Sequence, residues 1–216
     1  AEDGTAHGFS VELMRAALTL SSRDGPATIR HMRAAVDSLN SVGLTRDALT
    51  ARFMMATTVA SFGERKLACR ELDAVKVEAT RLEQPIIAAQ ASSAKAALHA
   101  AAGETKAALD AYGEAVTAAR AAGPEAVPFL IEILRSAGQL CLETRQDQLA
   151  ITCFRDALAV AEAAPPMAGA GGAEVGRTLA KALRKRGLHD QAASLEAQAD
   201  RLEQAALSEP PEDIAR

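Results

Sequence analysis

Aromatic side chains are scarce. Among 216 residues there is no Trp, a single Tyr (Tyr112) and five Phe. Strand formers as a class are sparse, while Ala and Leu dominate, so the chain reads as helical throughout. Three cysteines, Cys69, Cys141 and Cys153, are too few for a disulfide framework and read as buried thiols in a reducing cytosol. Cys141 and Cys153 could face each other across one helical hairpin. There is no excess of positive charge: 24 Lys and Arg stand against 28 Asp and Glu, a net charge of -4, which removes any global signal for direct nucleic-acid binding. No apolar run is long enough to span a bilayer, and no leader pattern of charged, apolar and small residues is present. The expected location is therefore cytoplasmic, without membrane insertion.

Chemistry is missing too. His7, His31, His99 and His189 are scattered, and none stands at metal-ligand spacing from Cys, Asp or Glu on one helix. Gly169, Gly171 and Gly172 lack the flanking strand and the Lys of a phosphate loop. Ser and Cys have no recognisable base motif. The expectation is a protein without enzymatic activity, cofactor or metal, in which His99 is a satisfied or partly buried side chain.

What the chain does have is a spacing. Ala108, Ala150 and Ala192 are 42 residues apart, and each is followed seven positions on by another Ala: Ala115, Ala157 and Ala199. A fixed period in this range marks one supersecondary unit stacked on itself. Breakers between the apolar-periodic runs divide the chain into helical hairpins at about 9–40, 46–82, 85–122, 125–163 and 173–206. Asp24-Gly25-Pro26 turns the chain into the second helix, and Thr45 is the expected N-cap of the third. Ala164–Gly172, rich in Gly and Pro, is expected to be a loop. Residues 1–8 read as a flexible lead-in and 207–216 as a disordered acidic tail. In the second hairpin Ala68, Leu72 and Val75 hold the recurring positions. In the first, Ala27, His31 and Ala34 fit less well.

Residues seven apart share one helix face, so the recurring alanines form a seam on which antiparallel helices approach closely. Tyr112 and Phe154 sit midway along that face and fill the gap to the neighbouring helix. Ala56, Ala96, Gly138 and Ala180 supply small partners on the first helices.

With these positions the chain resembles the tetratricopeptide-repeat family. That family's pattern has a small residue at the eighth position, Gly near the fifteenth, Ala at the twentieth, an aromatic at the twenty-fourth and Ala at the twenty-seventh. The third repeat supplies Ala96, Gly103, Ala108, Tyr112 and Ala115. The fourth has Arg145 in place of the Gly, and the fifth has Glu196 in place of the aromatic, as suits an exposed capping helix. The period is longer than the common 34 residues and is similar to that of kinesin light chains and many bacterial regulators. The resemblance implies an all-α, right-handed α-solenoid of about five antiparallel hairpins in a single domain, residues 9–206.

In this family the first helix of each hairpin lines a concave face. The resemblance places Phe53, Met54, Thr57, Arg135, Gln139, Arg177, Lys181, Arg184 and Lys185 on it as partner-binding residues, apolar toward the amino terminus and basic toward the carboxy terminus. The implied function is a protein-binding scaffold whose groove takes a peptide or helix, with an acidic segment toward residues 177–185. A chaperone-type carboxylate clamp is not expected, because Ser93, Ala97, Arg135 and Gln139 occupy the sites where that clamp needs Lys and Asn. The alternatives are a sensor module of a larger bacterial regulator, and a self-associating homo-oligomer.

Overall fold

Turns recur on a near-fixed count. A computed structural model describes residues 24–208 together with Glu12, Arg15 and Ala16. The lead-in 1–8, most of the expected helix 9–21, and the tail from 209 onward lie outside the described residues. Nine α-helices with described bounds follow in order: α1 (Gly25–Ser41), α2 (Thr45–Ser61), α3 (Arg65–Arg81), α4 (Pro85–Ala101), α5 (Thr105–Ala122), α6 (Val127–Glu143), α7 (Asp147–Ala163), α8 (Pro165–Arg184) and α9 (His189–Ser208). A short 3-10 turn, Pro124–Ala126, leads into α6. The first five begin at positions 25, 45, 65, 85 and 105, one helix and one turn every 20 residues.

One turn chemistry sets this interval. After α1, the Gly43 N–H donates to the Asn40 carbonyl at 3.1 Å and the Leu44 N–H to the Leu39 carbonyl at 3.0 Å. This pair of bonds satisfies carbonyls that the helix end would otherwise leave bare, and it requires a left-handed residue between helix and exit. The same two bonds follow α2, α3, α4, α6 and α8. Gly fills the left-handed position in four of these six turns, while Glu83 (φ 53°) and Arg145 (φ 59°) fill it in the other two. Because the turn runs straight into the next helix, Thr45 is not an N-cap. It lies inside α2, its hydroxyl donates to the Gly43 carbonyl at 3.5 Å, and Leu44 holds the flanking position. Asp24 does cap α1, accepting from the Ala27 N–H at 3.0 Å, with Pro26 in the first turn.

The chain divides into two compact units, residues 1–111 and 112–216, with the division inside α5. In the first unit α1 to α4 each pack on the next, and α2 also touches α4. In the second, α6 to α9 do the same, and α6 touches α8. The seam positions are buried in both. Thr28, Ala68, Ala108, Ala150 and Ala192 are at most 1% exposed, and Ala35, Val75, Ala115, Ala157 and Ala199 are fully buried. These residues correct the expected register of the first repeat by one: Thr28, Met32 and Ala35 hold the seam, while His31 is half-buried and Ala34 exposed. Thr28 is disguised by its hydroxyl, which donates to the Asp24 carbonyl at 2.8 Å and lets the side chain pack as an aliphatic one.

The expected loop at 164–172 is the largest departure. Residues 165–172 are the first turns of α8, and Gly169 and Gly172 are packing residues. A Cβ on Gly172 would stand 2.4 Å from the Ala161 Cβ, and one on Gly169 would stand 2.5 Å from the Leu202 carbonyl oxygen. Helices α7 and α9 approach α8 so closely that nothing larger than Gly fits, and this contact outweighs the poor helix propensity of the stretch.

One buried polar atom has no partner among the described residues, the Ser92 hydroxyl on α4. Burying an unbonded hydroxyl is unfavourable, so Ser92→Ala is expected to raise stability by about 1 kcal/mol. Urea denaturation of the two proteins measures this, and a clear loss of stability would show that the hydroxyl is bonded after all.

Candidate functional site

Helices α6 and α8 are the first helices of consecutive hairpins and lie side by side. Toward their carboxy-terminal ends they leave a cleft of about 790 Å³. Its walls are Gln139, Leu142 and Glu143 on α6, and Thr178, Lys181, Ala182 and Lys185 at the end of α8. Arg145 in the α6–α7 turn, Asp147 at the start of α7, and Arg186 complete the lining. Four cations thus meet two carboxylates.

The cations are not equivalent. Arg186 is ion-paired to Asp147, which ties the end of α8 to the start of α7. Glu143 accepts a hydrogen bond from the Gln139 amide at 2.9 Å. The Thr178 hydroxyl donates to its own helix, to the Glu174 carbonyl at 2.9 Å. Among the described residues Arg145, Lys181 and Lys185 have no carboxylate partner. The helix macrodipole favours cations in the last turn of α8, where Lys181 and Arg184 stand. The placement of Lys181 is thus locally favourable, and its charge remains available to a ligand.

Helix geometry splits the basic stripe that the sequence places on one face. Arg177 and Arg184, seven residues apart, reach toward α9. Arg177 bonds Asp200 at 3.1 Å and Glu203 at 2.5 Å, and Arg184 bonds Glu196 at 2.5 Å. Hydrogen bonds to Glu203 and then Asp200 hold the Arg177 guanidinium above its ordinary pKa. Glu196, the residue that replaces the seam aromatic, is thus the counter-charge of Arg184. Arg135 is engaged as well, with two bonds to Glu132 at 3.0 and 2.5 Å. Phe53, Met54 and Thr57 lie on α2 in the first unit. Met54 is exposed and Phe53 half-buried, and the Thr57 hydroxyl donates to the Met54 carbonyl at 2.9 Å. Of the nine residues expected to bind a partner, Gln139, Lys181 and Lys185 meet in the cleft. Arg145 was not among the nine. Its signal was in the sequence all the same, as the residue standing where the repeat pattern has Gly.

Other polar groupings are closed on themselves. In the first unit Glu104 bridges His99 at 2.6 Å and Arg65 at 2.8 Å, and these hydrogen bonds, His99 first, hold its carboxyl below the usual range. His99 is therefore a satisfied side chain. Cys141 and Cys153 are free thiols near enough to influence each other, and burial first, then Cys153, pushes the Cys141 thiol up to about 11. A thiol with that pKa holds almost no thiolate at neutral pH. Among the described residues no three His, Cys, Asp or Glu side chains form a group that could hold a metal ion, and no helix is long and apolar enough to cross a membrane.

No protein-family model matches the sequence, and no curated protein matches it. Solved structures do match. The chain is similar to MamA protein at 14% identity and a TM-score of 0.59, over 97% of this chain and 100% of that one. It is similar to the TPR-like repeats of a putative kinesin light chain from Podosopora anserina at 12% identity and a TM-score of 0.61, over 93% and 97%. The fold is that of the TPR-like helical repeats. A third similar structure is the Rap conjugation gene regulator of plasmid pLS20 in complex with the Phr* peptide, at 14% identity and a TM-score of 0.55 over 93% of this chain. The chain spans about half, 54%, of that regulator's length.

Proposed function

We propose that this protein is a cytoplasmic, non-enzymatic interaction module that takes an acidic peptide segment of a partner protein in the α6–α8 cleft. The carrying observation is the pair Lys181 and Lys185, which have no carboxylate partner among the described residues and line a cleft of about 790 Å³. A volume of that order accommodates a few residues of extended chain. Lysine ammonium groups attract carboxylates as mobile point charges, and Gln139 and Thr178 add polar atoms to the walls. Peptide binding on the same fold, in the Rap regulator with its Phr* peptide, agrees with this reading.

A fluorescein-labelled tetraglutamate peptide is a suitable probe, read by anisotropy. Lys181→Glu with Lys185→Glu is expected to weaken binding at least about tenfold, or ~1.4 kcal/mol. Raising the salt concentration should weaken binding of the wild type as well. Arg177→Gln is expected to change affinity less than about twofold, because its guanidinium serves Asp200 and Glu203. Equal losses in both variants would refute the assignment to this cleft.

A further inference from the structure

Arg145 occupies a backbone conformation that costs an L-residue energy. Its φ is 59°, in a turn whose counterparts after α1, α2, α4 and α8 carry Gly at the same place. A non-glycine residue in the left-handed region is disfavoured by contact of its Cβ with the backbone. Gly would relieve this, and the fold accepts Gly at four equivalent turns. Strain retained where relief is available points to a task when the strained side chain also lines a site. The Arg145 side chain lines the cleft with Lys181 and Lys185, and it has no carboxylate partner among the described residues. Glu83 is the internal comparison. It is strained in the same way at φ 53°, in the turn between α3 and α4, and it does not line this cleft.

We infer that Arg145 is a specificity-determining residue for the acidic ligand, the third cation of an anion subsite whose other members are Lys181 and Lys185. The inference rests on the peptide-binding reading above and adds a division of roles. The lysines attract acidic side chains without directional preference. Arg145 presents a planar fork that can bond one carboxylate through two parallel N–H groups, and so fixes where along the cleft that carboxylate sits. Both backbone bonds of this tight turn are made, which fixes the backbone from which the side chain projects. The Arg145 N–H donates to the Leu142 carbonyl at 3.3 Å and the Gln146 N–H to the Cys141 carbonyl at 2.8 Å. Strain at this turn is therefore kept for binding, and stability and affinity should respond to its relief in opposite directions.

The experiment compares Arg145→Gly, Glu83→Gly and the Lys181→Glu, Lys185→Glu pair in the full chain. Thermal melts and tetraglutamate anisotropy are the two readouts. Both glycine variants are expected to melt higher, by about 2–4 °C. Arg145→Gly is expected to bind tetraglutamate about tenfold more weakly, the loss of one charge-assisted contact. Glu83→Gly is expected to bind within about twofold of the wild type, since Glu83 does not line the cleft. If Arg145→Gly binds as the wild type does while the lysine pair loses binding, the role of Arg145 is refuted and the cleft reading stands. If the wild type binds no tetraglutamate, both fall. If Arg145→Gly melts lower than the wild type, the premise of stored strain is wrong and the inference with it.

Discussion

Phe154→Ala is expected to destabilise the protein by about 3–5 kcal/mol, the cost of emptying an aromatic site in a closed core. Phe154 is fully buried at the middle of the seam, and its ring lies against Gly138 on α6. A Cβ on Gly138 would stand 2.9 to 3.1 Å from three ring atoms, closer than side chains ordinarily approach. Ring and glycine are therefore one packing unit, and each makes sense only with the other. Gly138→Ala in the wild type should cost up to about 2 kcal/mol, the overpacking of about 1–3 kcal/mol less the ~1 kcal/mol helix-propensity gain of Ala. In the Phe154→Ala background the same change should become favourable, because the ring it met is gone. Guanidinium denaturation of the four proteins yields the coupling energy, expected above about 1 kcal/mol. A coupling near zero would mean that ring and glycine do not touch.

Gly172→Ala carries the second large effect, and the two descriptions of residues 164–172 predict opposite signs for it. In a loop, or in an unencumbered helix, Ala is neutral or better than Gly by up to about 1 kcal/mol. At the junction of α7, α8 and α9 a Cβ would stand 2.4 Å from that of Ala161 and 3.1 Å from a Leu202 methyl. Ala161 is fully buried and its Cβ is fixed to backbone, so a helix must move. The expected loss is about 2–3 kcal/mol. Gly113 provides the contrast. It lies inside α5, and its Cβ would meet nothing within 4 Å. Gly113→Ala is therefore expected to gain about 1 kcal/mol. Circular dichroism melts of the two variants check both signs, and a stabilised Gly172→Ala protein would contradict the close approach of these helices.

These two cases show what the sequence made legible and what it hid. The seam of Ala68, Ala108, Ala150 and Ala192 was readable because its period is regular and its residues are uniformly small. From that register followed the hairpins, the facing role of Gly138, and the antiparallel contact of Cys141 with Cys153. Gly169 and Gly172 read as loop residues because local propensity sees the cost of Gly in a helix, and cannot see the neighbouring helix that offsets it. Thr28 was passed over because a hydroxyl looks polar until its bond to the Asp24 carbonyl is known. The basic stripe of α8 was legible as a stripe only. Whether a cation faces a cleft or a counter-charge depends on α9, whose Glu196, Asp200 and Glu203 draw Arg184 and Arg177 away. Lys181 and Lys185 stay on the other side. Arg145 needed both levels, the missing glycine from the sequence and the left-handed backbone from the structure.

The proposed function places an acidic segment of the partner in the α6–α8 cleft. Titrating isotope-labelled protein with tetraglutamate, while following amide and side-chain NMR signals, tests this most directly. Binding in the cleft should give saturable shifts concentrated at Gln139, Arg145, Thr178, Lys181 and Lys185, with Arg177, Arg184 and the α2 residues Phe53, Met54 and Thr57 little changed. Shifts centred on α2, or spread evenly over every exposed Lys and Arg without saturation, would contradict it.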